Sequence, residues 1–181
     1  VSLPPIFRRT PLVSGFDPLP ASAGAQLREA WTHDLGIRIN SAAKLATDAR
    51  GDLVVAAAFN DATAEVRVDI LDGTTGSLLG RTDLSAVGLS ALSMSADGER
   101  VVVSAGMTLF ILDATARTVH AQPLSLATQA VGVSMDGGTV AYGDFGAVRV
   151  LTEFPGLGYL STGSVAGAAA ELPTRLDLSR D

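Results

Sequence analysis

The chain has 181 residues, 47% of them apolar and 18% charged, which is enough apolar content for a core and excludes disorder as the main state. Nineteen acidic residues against thirteen basic ones leave a formal net charge of −6, the opposite of the basic face that a nucleic-acid partner requires. Without cysteine there are no disulfides, thiolate metal centres or cysteine nucleophiles, and the longest apolar run, Leu53–Phe59, is far too short for a membrane span.

Residues 1–26 hold Pro4, Pro5, Pro11, Pro18 and Pro20 among Gly, Ser and Ala. They read as an extended lead-in without a core of its own. The chain starts at Val1 without a visible signal peptide, so a processed or truncated start is expected. A strand is expected over about Glu29–Ile37.

From there on, short apolar runs rich in Val, Leu and Ile alternate with Asp-Gly, Gly-Gly and Thr-Gly turns, the pattern of many short antiparallel strands. Four segments share the form apolar-x-Ser-x-Asp-Gly followed by an apolar strand. They are Lys44–Val55, Leu92–Val103, Val131–Ala141 and Leu176–Asp181. The turn glycines Gly51, Gly98 and Gly137 are 47 and 39 residues apart, and a fourth would fall at position 182. Asp bonds turn amides and Gly takes positive φ without steric cost. The predicted turn residues are therefore Asp48, Gly51, Ser95, Asp97, Gly98, Ser134, Asp136, Gly137, Ser179 and Asp181, with the carboxylates Asp48, Asp97, Asp136 and Asp181 taken as one repeat position.

The strands after these turns, Leu53–Phe59, Val101–Ala105 and Thr139–Tyr142, are apolar on both faces, as for strands sandwiched between neighbouring sheets. A third strand follows in each unit: Ala64–Leu71, Met107–Leu112 and Ala147–Leu151. In the first of these, Glu65, Arg67 and Asp69 alternate with Val66, Val68 and Ile70, which predicts one solvated face. Short polar fourth strands are expected over Ser77–Thr82, Arg117–Gln122 and Leu157–Thr162.

A spacing of 39–47 residues with four strands per unit matches a β-propeller blade. The expected fold is all-β, a partial β-propeller of about three complete four-stranded antiparallel blades plus flanking strands. Residues 27–181 form the propeller segment, with blades at about 41–83, 89–124 and 129–163 and the first strand of a next blade at 174–181. Propellers usually need four to eight blades, so the remaining blades are expected in cis or in trans.

The Ser-x-Asp-Gly repeat resembles bacterial and archaeal WD40-like and YVTN-type blades. The segments Ile70–Leu79 and Ala30–Gly36 also resemble repeats of the quinoprotein-dehydrogenase-like class, where Trp31 stands in the place of the repeat tryptophan. The Gly-His and Trp-Asp pairs of eukaryotic WD40 blades are missing. This resemblance implies a non-catalytic binding or scaffold module of a larger protein, taking a protein or small ligand on its blade loops. The alternatives are part of a quinone-dependent dehydrogenase-like propeller, or the gating propeller of a serine peptidase. Zero cysteine and an acidic pI fit an extracytoplasmic location, periplasmic or at the cell surface.

Residue chemistry adds no catalytic, cofactor or metal site. His33 and His120 are far apart and lack metal-binding spacing. Gly132-Val-Ser-Met-Asp136 lacks the second glycine of a nucleophile elbow. Gly73-Thr-Thr-Gly76 lacks the Gly-Lys of a phosphate loop. The recurring aspartates lack a calcium-loop pattern and are assigned to turns.

Overall fold

The computed structural model describes residues 30–37, 43–144 and 146–166. The described strands all belong to the unit Trp31–Asp181. The lead-in 1–26 and the strand expected over 174–181, with Ser179 and Asp181, lie outside the described residues.

Among the described residues, twelve strands form three sheets. The first contains β1 (Lys44–Thr47), β2 (Leu53–Asn60), β3 (Glu65–Asp72) and β4 (Leu78–Leu84). The second contains β5 (Leu89–Met94), β6 (Arg100–Ala105), β7 (Thr108–Asp113) and β8 (Thr118–Pro123). The third contains β9 (Val131–Val133), β10 (Thr139–Asp144), β11 (Ala147–Phe154) and β12 (Gly158–Ala166). Each sheet is an antiparallel meander whose spatial order follows the chain. A bulge falls at the same place in each third-to-fourth strand pair: Ile70/Leu71, Ile111/Leu112 and Val150/Leu151. Bulges add local twist, so all three blades are bent alike.

Blades pack face to face. Val55, Ala57, Val68 and Ile70 of the first meet Val101, Val103 and Leu112 of the second. Val102, Leu109 and Ile111, on the second blade's other face, meet Val140, Tyr142 and Leu151 of the third. The middle strands are thus apolar on both faces because each face is a core. The inner strands β1, β5 and β9 adjoin in series, with β5 also touching β2, and β9 touching β6.

Residues 31–37 differ from the expectation of a sheet strand. They have a strand's alternation, with Trp31, His33, Leu35 and Ile37 turned inward and Thr32, Asp34 and Gly36 exposed. They join no sheet among the described residues and instead lie across the first blade's outward face, Leu35 and Ile37 packing on Ala56 and Ala58. Leu35, Leu84 and Leu124 stand 49 and 40 residues apart and are 8%, 4% and 6% exposed. Leu84 and Leu124 close the outer strands of their blades and pack into the core shared with the following blade. Leu35 does the same for the first blade, so the strap 31–37 takes the place of an outer strand.

Candidate functional site

Turn chemistry governs one end of the blades. In the second blade, Ser95 Oγ accepts from Arg100 N at 2.9 Å and donates to Asp97 Oδ1 at 2.6 Å, and Glu99 N donates to that same Oδ1 at 3.0 Å. The third blade repeats this with Ser134, Asp136, Thr139 and Gly138. Gly98 and Gly137 have φ of +79° and +72°, which an L side chain rarely adopts. In the first blade, Asp48 Oδ1 accepts from Leu53 N at 3.1 Å, the bond made by Ser95 and Ser134 to the residue five further on. Asp48 therefore occupies the serine position and Arg50 the position of Asp97 and Asp136. The carboxylates at 48, 97 and 136 do not form one repeat position, because counting back from Gly51 puts Asp48 three residues away and Asp97 only one from Gly98.

These turns also link the blades. Ala49 N donates to Ala96 O at 3.0 Å, and Asp97 N to Met135 O at 3.1 Å. The second set of turns at this end consumes further carboxylates. Asp72 Oδ1 accepts from Thr74 N, Thr75 N and Thr75 Oγ1. Asp113 accepts from Thr115 and Arg117. Against the desolvation that raises it, these bonds hold the Asp113 carboxyl at about 2. Side chains committed in this way are unsuited to proton transfer near neutral pH. No group of three His, Asp or Glu among the described residues is placed to hold a metal ion.

The first blade's outward face carries a charged cluster that the alternating pattern of β3 was expected to leave in water. Asp69 is 0% exposed. Arg81 donates to both its oxygens at 2.7 and 2.6 Å, and His33 Nε2 lies 2.7 Å from Oδ2. Burial pushes the Asp69 carboxyl up, but the bonds from Arg81 and His33 outweigh it and hold the group below its ordinary value. Arg67 donates to Asp83 through Nε and one Nη, and through the other to Leu35 O at 3.0 Å. Trp31 Nε1 donates to Gly73 O at 3.0 Å. The face of Arg67 and Asp69 is buried, not solvated, because a segment more than thirty residues away in sequence covers it.

Between the second and third blades, Arg100 donates to Tyr159 Oη and Glu153, and Tyr159 Oη donates to Gly137 O at 2.6 Å. His120 lies against Tyr159 with ring centroids 5.8 Å apart. The two histidines thus serve separate packing sites and do not converge.

The opposite end of the blades carries exposed apolar side chains on its loops, as the turn end does at Met135, Phe154 and Leu157. Val87, Met107 and Leu126 are 74%, 57% and 42% exposed. They stand on the β4–β5 connection, the β6–β7 turn and the β8–β9 connection. Backbone bonds hold these loops together: Gly106 N donates to Gly88 O, and Leu124 N to Met107 O, both at 2.9 Å. This trio carries no repeat signal in the sequence, since Met107 stands on a turn within a blade and Val87 and Leu126 on connections of different length between blades.

No protein-family model matches the chain, and no curated protein matches it by sequence. Solved structures do match in fold. The chain is similar to Kuenenia stuttgartiensis hydrazine synthase (TM-score 0.58, 13% identity), covering 75% of this chain and 52% of that one. It is similar to BamB from Moraxella catarrhalis (TM-score 0.54, 19% identity), covering 72% and 39%. It is also similar to the Dos1 propeller (TM-score 0.59, 15% identity), covering 73% and 36%. These are β-propeller proteins. With its three four-stranded antiparallel blades, the chain is a partial β-propeller. It spans about half the length of the hydrazine synthase chain and about two-fifths of BamB.

Proposed function

We propose that the chain is a non-catalytic binding segment of a larger β-propeller protein, with remaining blades completing the ring and a protein partner docking on the loop end that carries Val87, Met107 and Leu126. The observation that supports this most is that the exposed apolar side chains of the loop end sit on loops bonded to one another, since exposure alone is shared with the turn end, where Met135, Phe154 and Leu157 are 42%, 39% and 72% exposed. At the turn end, Asp48, Asp72, Asp97 and Asp113 are spent on backbone and turn bonds. At the loop end, three large apolar side chains face water on loops bonded to one another. Loops on a rigid scaffold are where binding residues concentrate, and clustered exposed apolar side chains mark interaction surfaces. Protein binding follows better than small-ligand binding because the trio stands outward on loops. A scaffold role in an extracytoplasmic assembly fits the acidic, cysteine-free composition.

The test is affinity enrichment from an extract of the source organism with the wild-type chain and with the Val87→Asp/Met107→Asp/Leu126→Asp variant. The expected result is a protein retained by the first and lost by the second, with an unchanged unfolding temperature. Identical retained sets would overturn the loop-end assignment.

A further inference from the structure

The third blade departs from the other two at its outermost hairpin. In the first blade this hairpin closes at the bond from Asp72 N to Ser77 O, and in the second at the bond from Asp113 N to Arg117 O, both 2.9 Å. The shared bulges align Thr152 with Asp72 and Asp113. The pair of Thr152 with Leu160 is followed by two more, Glu153 with Tyr159 and Phe154 with Gly158. The chain then reverses over Phe154-Pro-Gly-Leu157, where Leu157 N donates to Phe154 O at 3.0 Å and Gly156 has φ of +77°. Proline at the second place and a positive-φ glycine at the third are what a type II turn demands.

The added rungs have a fixed foot and a free tip. Glu153 N donates to Gly138 O at 2.8 Å. Tyr159, 3% exposed, donates to Gly137 O, and Arg100 donates to both Tyr159 Oη and Glu153. Phe154 and Leu157 stand in water at the tip, with Leu160 exposed at the foot. In the first two blades the carboxylates of Asp72 and Asp113 are bonded within their own turns. The repeat therefore gives the rungs beyond them no part in joining blades, and packing of the array does not account for Phe154 and Leu157. Apolar side chains held out on a rigid stem lose little freedom on binding, and a few large anchors of this kind carry most of the energy of an interface.

Charge selects the partner. The turns 48–52, 72–77, 95–100, 113–117, 134–138 and 153–158 hold eight carboxylates against three arginines. The rest of the described residues hold six carboxylates against one lysine and three arginines. The turn end thus carries most of the excess negative charge. A second copy would bring negative charge with either of its ends, and an anionic bilayer would be repelled in the same way. We infer that the β11–β12 hairpin is a docking prong for a basic protein partner, whose apolar side chains close over Phe154 and Leu157 while its Lys and Arg side chains face carboxylates such as that of exposed Glu99, beside Arg100. Complementary charge steers the encounter and fixes its orientation. The prong stands at the opposite end of the blades from Val87, Met107 and Leu126, so it is a second surface and does not rest on the first.

The probe is a random-peptide library displayed on phage and selected on the immobilised chain at low salt. The expected ligands combine Lys or Arg with large apolar residues. Their affinity is expected to fall roughly ten-fold or more in Phe154→Ser/Leu157→Ser, with the unfolding temperature unchanged. Glu99→Lys, which leaves the hairpin untouched, is expected to weaken the same ligands and to flatten their salt dependence. The Val87→Asp/Met107→Asp/Leu126→Asp variant is expected to bind them as the wild-type chain does, so that the two surfaces fail separately. Selection that enriches no basic ligand, or basic ligands held equally well by Phe154→Ser/Leu157→Ser, would overturn the prong. So would a dimer in gel filtration, or attachment to phosphatidylcholine vesicles, that Phe154→Ser/Leu157→Ser abolishes, because the occupant would then be a second copy or a lipid surface.

Discussion

The two outward faces of the array are built on the same repeat and are covered in opposite ways. On the first blade, the strap 31–37 covers the middle and outer strands while Leu45 on the inner strand β1 stays 70% exposed. Leu92 and Val131, the equivalents of Leu45 in the next two blades, are half-buried and buried against the blade before them. On the third blade cover lies over β9 and β10, and β12 is open. One end thus carries a strap at the place of an outer strand, and at the other the outer strand β12 stands open. Chemistry differs as well. The first face is fixed by charge and hydrogen bonds around Asp69, whereas the third is lined by Ala141, Val148, Val150 and Leu160. A polar lock sets one geometry, since every donor must find its acceptor, whereas an apolar face accepts any well-shaped cover.

The comparison breaks most sharply at Asp69. Asp69→Ala leaves Arg81 and His33 facing each other across a covered face without their shared anion. Removing one partner of a buried pair costs about 3 to 5 kcal/mol, and Arg81, with a side chain 36% exposed, can turn to water, so the loss is expected at the low end. Urea unfolding followed by the emission of Trp31, the only tryptophan, measures it. A red-shifted native baseline is expected as the strap lifts, with the second and third blades retaining their strand signal in circular dichroism. A loss no larger than that of an exposed substitution would mean that the strap is held by Leu35 alone.

Acid tests the same carboxylate more gently. Asp69 is held below its ordinary value of 3.8, so its contribution is complete above that value and lost as pH falls through the lower folded one. Trp31 emission is expected to stay constant from pH 7 down to about 4 and to shift red below the ordinary carboxylate range. Asp113, held at about 2, is expected to keep the β7–β8 turn bonded until the pH falls towards that value. Release already complete at pH 5 would show that Asp69 does not control it.

Much of this architecture is legible in the sequence, and each illegible part has its own physical cause. The turn glycines Gly51, Gly98 and Gly137 announce the repeat because positive φ and a tight turn restrict the residue locally. The doubly apolar β2, β6 and β10 announce their sandwiching because burial on both faces leaves no polar position. Asp69 misleads because polar alternation is a local pattern, while its burial is decided by the strap. Asp48 misleads because Asp and Ser both cap the same turn amide, so side-chain type does not fix repeat position and the hydrogen-bond register does. The Val87, Met107 and Leu126 surface is silent in sequence because loop lengths differ between blades.

The smallest expected effect concerns how the strap and the blades divide space. Gly76 has φ of +71° and lies under Trp31, whose ring would stand 2.6 Å from an added Cβ. In the second blade, Ala116 ends the corresponding turn with φ of +64°, and the strand above it offers Gly80, where an added Cβ would meet Thr115 O at 2.7 Å. Bulk therefore sits on the covering strand at the first blade and on the turn at the second. Because Ala116 adopts this conformation natively, Gly76→Ala is expected to cost only about 1 kcal/mol for the left-handed backbone, while displacing the Trp31 ring. The pairing predicts a double-mutant signature in unfolding free energies. Trp31→Gly combined with Gly76→Ala rebuilds the second blade's arrangement at the first, and its loss should be smaller than the sum of the two single losses. Additive losses would mean that Trp31 and Gly76 touch without constraining each other, and that the strap's resemblance to an outer strand stops at Leu35.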